Sequence, residues 1–243
     1  MIPHPEKNAR VAYEDWHSRH AVDVNSDTPW HQMIKGYLSP ERDLAGKSVL
    51  EIGCGRGGFS CWLVQQSHRP RQLVAADFST AAVQMGKGYA HSRNYSGISW
   101  EVGDIQAIAH PDQSFDTVVS SETIEHVPDP RKALVELARV LKPGGRLFLT
   151  TPNYLGPIGL YRLYLPLRGR KFTEEGQPIN NFMLFPTTRK WVRQTGLRIL
   201  TTQSTGHYLP FPGKPPVEIS ALNWFGPLVR QFGLHSMIIA EKP

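Results

Sequence analysis

The chain has 243 residues, of which 40% are hydrophobic and 20% are charged, and it carries a net charge of +6. This balance is ordinary for a globular protein and excludes a disordered or fibrous chain. Positive charge suits a nucleic acid, a membrane surface or an acidic small molecule, so composition alone does not choose the partner.

Several features of the sequence favour a cytoplasmic location. No window approaches the roughly 18 consecutive apolar residues of a membrane span, and the opening "MIPHPEKNAR" lacks the apolar core of a signal peptide. Cys54 and Cys61 form no disulfide framework and are interpreted as reduced thiols. We therefore expect a cytoplasmic protein, and the sequence leaves its oligomeric state open.

The first 47 residues predict a helical cap ahead of the main fold. In "DTPWHQMIKGYL", Thr28 suits a helix cap and Pro29 suits the first helical position. Trp30 and His31 follow on this helix and are predicted to close over a ligand, although ordinary packing would explain them equally well.

Short apolar strands then alternate with helical stretches from residue 48 to residue 152. The predicted strands are 48–53, 72–77, 98–104, 115–121 and 146–151, and the predicted helices are 57–67, 80–92 and 130–142. Alternation of this kind implies a parallel sheet covered by helices on both faces. The sequence therefore predicts an α/β protein with a Rossmann-like, doubly wound sheet.

The pattern loosens after Pro152. A helix over about 187–195 and strands over 198–204 and 235–242 are predicted, and the two strands are expected to pair antiparallel at the sheet edge. We interpret the chain as one domain. Its expected parts are the cap (1–47), a cofactor-binding core (48–152), and an acceptor-binding insertion with the last two strands (153–243).

The stretch "VLEIGCGRGGFS" places a bare turn directly after the first strand. Its glycines fit the G-x-G-x-x-G pattern of nicotinamide enzymes, but this pattern alone is weak evidence. The acidic residues at the strand ends are therefore needed to decide which ligand the turn binds. Asp77 ends the second strand, where an acid can accept both hydroxyls of a ribose. Asp104, followed by Ile105, ends the third, where an acid and an apolar side chain suit an adenine.

These features, together with "FDTVVSSETIEHVPDP" and "LKPGGRLFLTTPN", resemble the class I S-adenosylmethionine-dependent methyltransferases. The resemblance is to their small-molecule branch, which includes the ubiquinone-biosynthesis O-methyltransferases, and it covers about residues 48–152. It implies a seven-stranded sheet, mostly parallel with the last strand antiparallel, and S-adenosylmethionine as cofactor.

The resemblance also implies roles for individual residues. The methionine part would be contacted by the turn, Asp77 would bind the ribose beside Phe78, and Asp104 with Ile105 would hold the adenine. The turn residues are Glu51, Gly53, Cys54 and Gly55, and Ser120 or Ser121 would face the methyl donor. Asp77 as a helix cap and Asp104 as a turn residue are the structural alternatives.

The stretch "ETIEH" offers residues for chemistry. If it is helical, Glu122, Glu125 and His126 share one face. His126 would then be a general base, or the trio would bind a divalent metal. "INNFMLFP" lacks the extra histidine of related metal-binding enzymes, which weakens the metal hypothesis. A third interpretation is that Glu125 and His126 brace the turn into "VPDP".

The acceptor is expected to meet "YLGPIGLYRLYLPLRGRKF" (154–172) and the segment that follows. The predicted acceptor residues are aromatic and are chosen only by their position in the chain: Tyr161, Tyr164, Phe182 and Phe185. The segment suits a lid, a pocket wall or a peripheral contact with a membrane surface, and an insertion packed on the core is the plain alternative.

The sequence thus predicts methyl transfer to a small molecule, with a hydroxyl oxygen of an aromatic, isoprenoid or sugar-containing metabolite favoured. Carbon or nitrogen methylation, RNA methylation and a non-catalytic cofactor-binding regulator remain as alternatives. No nucleic-acid partner is expected, because no added RNA-binding module is visible.

Overall fold

The computed structural model describes residues 11–16, 19, 24, 26–169, 177–211, 214–219, 222 and 229–243. Seven strands form one sheet in the order β3-β2-β1-β4-β5-β9-β6, and β7 pairs with β8 in a separate hairpin. The strands are β1 (Ser48–Ile52), β2 (Gln72–Asp77), β3 (Ile98–Val102), β4 (Phe115–Ser121), β5 (Leu141–Pro152), β6 (Arg198–Thr205), β7 (Tyr208–Phe211), β8 (Lys214–Glu218) and β9 (His235–Glu241).

The direction of the strands confirms the predicted fold class. Strands β1 to β5 pair parallel, whereas β9 runs antiparallel to both of its neighbours, β5 and β6. The last strand is therefore inserted between β5 and β6, and β6 forms the edge of the sheet. The two final strands do pair antiparallel, as predicted.

Helices cover both faces of this sheet. They are α1 (residues 11–16), α2 (Pro29–Tyr37), α3 (Gly58–Leu63), α4 (Thr80–Ser92), α5 (Pro130–Val140), α6 (Pro157–Tyr164) and α7 (Phe185–Gln194). Within the described ranges, no helix combines the length and the apolar character needed to cross a membrane.

Alternation along β1 divides the interior into two cores. Leu50 and Ile52 point into the core that α5 and α7 cover, whereas Val49 points into the core that α2 and α3 cover. Both faces of the central strand are thus buried, as a parallel sheet between helices requires. The carboxyl ends of β1, β2 and β4 are left at one edge.

Local signals placed several element ends well. The side chain of Thr28 accepts a hydrogen bond from the N–H of His31 and begins α2, and Ser79 accepts one from Ala82 and begins α4. The N-capping hydroxyl satisfies a backbone donor that the first helical turn leaves unpaired.

Other predicted boundaries are wrong in informative ways. The helix predicted over 57–67 ends at Leu63, where the side chains of Gln65 and Gln66 donate to the carbonyls of Cys61 and Trp62. The predicted 130–142 helix ends at Val140.

The strand that follows α5 begins earlier than predicted. Leu141 already has extended backbone angles, so β5 runs through the Pro-Gly-Gly stretch, and the pairing register with β4 shifts between Phe115 and Thr117. The bulge accommodates the extra residues. No element was predicted for the proline-rich stretch 209–216, and its residues 209–211 and 214–216 belong to β7 and β8, which pair as a hairpin.

Gly57 marks where the bare turn becomes a helix. It caps α3 with a left-handed φ of 71°, and a β-carbon at this position would meet the ring of Trp100. Left-handed backbone and a ring against the α-carbon both require glycine.

We expect Gly57→Ala to lower the free energy of unfolding by at least about 1–2 kcal/mol, the cost of left-handed backbone alone. Gly88→Ala is the matched control, since a β-carbon at Gly88 in α4 meets no atom within 4 Å. That change should stabilise the protein by about 0.5–1 kcal/mol. Urea denaturation of both variants measures the difference, and equal stabilities would contradict this account.

Candidate cofactor and acceptor site

The bare turn after β1 is tied to the end of β2. The N–H groups of Gly53 and Cys54 both donate to the carbonyl of Ala76, at 2.8 and 3.0 Å. Gly55 has a left-handed φ of 52°, and a β-carbon there would meet nothing within 4 Å. No side chain covers the backbone at Gly55, so a ligand could approach the main chain closely there.

Asp77 joins three elements. Its Oδ2 accepts from the N–H of Gly55 at 2.8 Å, and its Oδ1 accepts from the N–H of Ser79 at 2.9 Å. These bonds match the structural alternative, in which Asp77 braces the start of α4. Each carboxylate oxygen has a second lone pair, so the predicted contact with a ribose is compatible with both bonds and stays a prediction.

Glu51 lies beneath the turn and is 3% exposed. The hydroxyl of Ser60 donates to its Oε2. Burial raises the pKa of Glu51 to about 8, and the nearby charge of Asp77 adds to the rise. The protonated form of the carboxyl is therefore favoured at neutral pH. Cys54 is also buried, and burial raises the pKa of its thiol well above the ordinary value.

The third strand end carries the predicted adenine pair. Oδ1 of Asp104 accepts from the N–H of Gln106 at 2.8 Å, which is a turn role. Within the described residues Oδ2 makes no hydrogen bond, so it can still accept from an amine. Ile105 is buried against the α5 core, and Phe78 beside the end of β2 is half-buried.

The end of β4 provides an unsatisfied hydroxyl. Ser120 is fully buried and its Oγ has no hydrogen-bond partner among the described residues, whereas Oγ of Ser121 pairs with Oγ1 of Thr150 at 3.0 Å. A buried hydroxyl without a partner costs free energy unless a ligand satisfies it. This hydroxyl, the bare turn and the strand-end acids together fit S-adenosylmethionine.

The "ETIEH" stretch is not the helix on which the shared face of its three residues depended. Glu122 has a left-handed φ of 46°, and only Ile124–His126 form a single 3-10 turn. The carboxylate of Glu122 pairs with Nδ1 of His235 at 3.1 Å, whereas Glu125 is fully buried. The three side chains therefore do not lie on one helical face as the prediction required.

His126 is tied into its surroundings. Its Nδ1–H donates to the carbonyl of Ile179 at 2.8 Å, and its Nε2 lies 3.6 Å from Oε1 of Glu125. The pKa of His126 is lowered, mainly by burial. Asn181 donates its side-chain amide to the carbonyls of Glu125 and Val127. These contacts support the bracing interpretation, and the role of general base stays a prediction.

The metal hypothesis gains no support from the geometry. Across the described ranges, no three His, Cys, Asp or Glu side chains lie close enough together to hold a metal ion. In the stretch "INNFMLFP", where a further histidine was sought, Asn180 accepts from the guanidinium of Arg162.

Helix α2 brings its aromatic pair to the same edge of the sheet. His31 stacks on Phe59 with ring centroids 4.8 Å apart, and its Nδ1 lies 2.8 Å from Oγ1 of Thr28. Burial lowers the pKa of His31 to about 4. Trp30 packs on the ring of His235 with centroids 4.9 Å apart.

The predicted acceptor residues fall into three environments. Phe182 stacks on Tyr154 at 5.2 Å, and the guanidinium of Arg162 lies over both rings. Tyr161 and Tyr164 are exposed on α6, at 44% and 46%. Phe185 is fully buried in the α5 and α7 core, so packing alone accounts for its side chain and the predicted acceptor contact finds no support.

Sequence analysis missed Glu14 and His235. From α1, the Glu14 carboxylate accepts from the N–H groups of Thr80 and Ala81 and from the hydroxyl of Ser79. It therefore caps α4 from outside and holds α1 beside the end of β2. No sequence signal marks this contact across more than sixty residues. His235 was detectable as the first residue of the last strand, which the expected topology places beside the end of β5.

The amino-acid sequence is similar to those of known methyltransferases. Residues 50–149 match the family described as methyltransferase domain. A ubiquinone biosynthesis O-methyltransferase of Coxiella burnetii is 29% identical over 175 residues, which is 72% of this chain and 73% of that protein.

Two solved structures share the fold. One is a chain of the complex between the Haloferax volcanii Trm112 methyltransferase activator and a methyltransferase (TM-score 0.68, 20% identity, 95% of this chain and 97% of that chain). The other is an S-adenosylmethionine-dependent methyltransferase from Mesorhizobium loti (TM-score 0.63, 16% identity, 90% of this chain and 100% of that chain).

We expect Asp77→Asn to weaken binding of S-adenosylhomocysteine at least about tenfold, or about 1.4 kcal/mol, because an amide accepts less strongly from hydroxyls than a carboxylate does. Asp129→Asn is the control, since Asp129 caps α5 by accepting two backbone N–H groups as Asp77 accepts two. Calorimetric titration measures both, and unchanged affinity in folded Asp77→Asn would remove the ribose assignment.

The buried carboxyl of Glu51 should make stability fall as pH rises. Its pKa is raised from 4.5 to about 8, so the folded protein binds one more proton than the unfolded chain between these values. Stability is lost across that window, and Glu51→Gln should flatten the loss. Denaturation at several pH values checks this, with Glu41→Gln at an exposed position as control. An unaltered slope in Glu51→Gln would refute the shift.

Proposed function

The chain is an S-adenosylmethionine-dependent methyltransferase, and we propose that it methylates a hydroxyl oxygen of a small aromatic, isoprenoid or sugar-containing molecule. The observation that carries this proposal is the likeness to a ubiquinone biosynthesis O-methyltransferase over nearly three quarters of both chains. That alignment is longer than the domain match over residues 50–149. The likeness therefore extends into segments outside the cofactor core, where acceptor specificity arises in this fold.

In this proposal the cofactor lies along the carboxyl edge of β1, β2 and β4. The Gly53–Gly55 backbone contacts its methionine part, Asp77 its ribose, and Asp104 with Ile105 its adenine. When bound, S-adenosylmethionine supplies a methyl group on a positively charged sulfur. The protein then has to position the acceptor oxygen in line with that methyl group and exclude water.

The surroundings of this edge favour an acceptor with an apolar part. Trp30 from α2 and Phe182, which stacks on the buried ring of Tyr154, supply aromatic surface, and the Arg162 guanidinium lies over the latter pair. Beyond them, the exposed side chains of α6 and the turn after it are largely apolar, as the exposed leucines show: Leu160, Leu163 and Leu167. This surface suits a greasy acceptor or a peripheral contact with the membrane that contains one.

Transfer from S-adenosylmethionine labelled in its methyl group tests the proposal. The pure protein is mixed with an extract of the source organism, which is then separated into organic-soluble, aqueous small-molecule and macromolecular fractions. We expect label in a small-molecule fraction, on an oxygen atom by mass spectrometry of the product.

Other outcomes would contradict the proposal in different ways. Label only in macromolecules would favour RNA or protein as the acceptor, and label on carbon or nitrogen would exclude hydroxyl methylation. Tight binding of S-adenosylhomocysteine with no label in any fraction would favour a cofactor-binding regulator. Heat-killed protein is the control for non-enzymatic transfer.

A further inference from the structure

A carboxylate and an imidazole meet at the edge of the sheet where β4 ends and β9 begins. Nδ1 of His235, the first residue of β9, lies 3.1 Å from Oε2 of Glu122, directly after β4. Both side chains are nearly buried, at 16% and 15% exposure. Within the described part of the chain, Nε2 of His235 makes no hydrogen bond.

The backbone holds the carboxylate in this place. The N–H of Glu122 donates to both the carbonyl and the hydroxyl of Thr150, which fixes the turn after β4 against β5. The next residue, Thr123, lies against the α-carbon of Gly53, where a β-carbon would collide with it. The residue next to Glu122 in the chain thus lies against the predicted cofactor turn. A left-handed, non-glycine residue is costly, and such strain is found where a side chain must be aimed.

The ring of His235 is fixed from other sides as well. Trp30 packs on it from α2, and its backbone pairs with Pro152 in β5 and Thr205 in β6. Among the described residues, Glu122 is the partner of Nδ1, and an Nδ1–H that donates to it leaves a lone pair on Nε2. An imidazole oriented by a carboxylate is the arrangement that general-base catalysis uses.

We propose that His235, oriented by Glu122, is the general base that takes the proton from the acceptor hydroxyl. The proton moves to Nε2 as an electron pair of the oxygen forms the bond to the methyl carbon. The carbon–sulfur bond breaks with its electron pair on sulfur, which leaves S-adenosylhomocysteine, a methyl ether and an imidazolium. Glu122 stabilises the imidazolium, which then loses its proton to water.

Two other imidazoles of the described residues, those of His126 and His31, are less suited. His126 donates its Nδ1–H to a backbone carbonyl, and its Nε2 faces the buried Glu125 at 3.6 Å. His31 is stacked on Phe59, with Nδ1 at Thr28. Of the three, His235 alone combines a carboxylate partner on one nitrogen with no hydrogen bond on the other.

The inference rests on the proposed function, and its test uses the small-molecule fraction that the wild-type protein labels. Initial rates are measured for His235→Ala, Glu122→Gln and His126→Ala, with and without added imidazole, alongside calorimetric affinity for S-adenosylhomocysteine. The matched control is His110→Ala, because His110 pairs with Glu101 at 2.9 Å outside the residues of the site.

We expect His235→Ala to lose about 10²- to 10⁴-fold in rate, the usual contribution of a positioned base, with cofactor affinity unchanged. Added imidazole should restore part of this rate, because it can enter the vacated space as a base. Glu122→Gln should lose about tenfold, since its amide oxygen still accepts from Nδ1 but stabilises an imidazolium less. His110→Ala should match the wild type.

The possible failures are distinguishable. If the wild-type protein labels no small molecule, the proposed function fails and the base role fails with it. If the wild type is active and His235→Ala equals it, the proposed function stands and the base role is wrong. A loss in His235→Ala that imidazole does not restore assigns His235 to structure only. A loss confined to His126→Ala transfers the role to His126.

Discussion

The whole site depends on the bond between the first turn and the second strand. Two N–H groups of the glycine turn donate to the carbonyl of Ala76, and a third, that of Gly55, donates to the side chain of Asp77. A glycine-rich turn offers few side chains as hydrogen-bond partners, and a buried N–H without a partner lowers the stability of the fold. The same three bonds fix the distance between the turn and the start of α4. The three bonds therefore fix the conformation of the turn Gly53–Gly55 in the protein itself.

The two acids nearest the turn, Asp77 and Glu51, lie in different surroundings. Asp77 accepts two backbone hydrogen bonds, whereas Glu51 is buried and its pKa is raised to about 8. Two neighbouring carboxyl groups thus lie in different environments: backbone donors face Asp77, and the protein interior surrounds Glu51.

Local structure was predictable where the sequence carries its own signal. Strands Gln72–Asp77 and Phe115–Ser121 are as predicted, because apolar runs between turn residues leave little choice. The caps at Thr28 and Ser79 follow from the same local chemistry. The alternation of strands and helices predicted the parallel strands, and the family resemblance added the number of strands and the antiparallel direction of the last one.

The rest depended on contacts between distant residues. The pairing of Glu122 with His235 spans 113 positions, and neither residue's neighbours indicate it. The left-handed backbone at Glu122 removed the helix on which the E-x-x-E-H interpretation rested. Phe185 and Tyr161 show the same limit, because an aromatic residue in a loose segment can be core or surface, and only the packing of α6 and α7 decides.

The contact between Glu14 and the start of α4 has a consequence for the N-terminal helix α1. Glu14 makes three hydrogen bonds to that end of α4, each worth about 0.5–1.5 kcal/mol. From the same helix the hydroxyl of Tyr13 donates to the carbonyl of Ile179, and the ring of Trp16 is buried. One short helix therefore bridges the start of α4 and the segment around Ile179, which lie about a hundred residues apart in the chain.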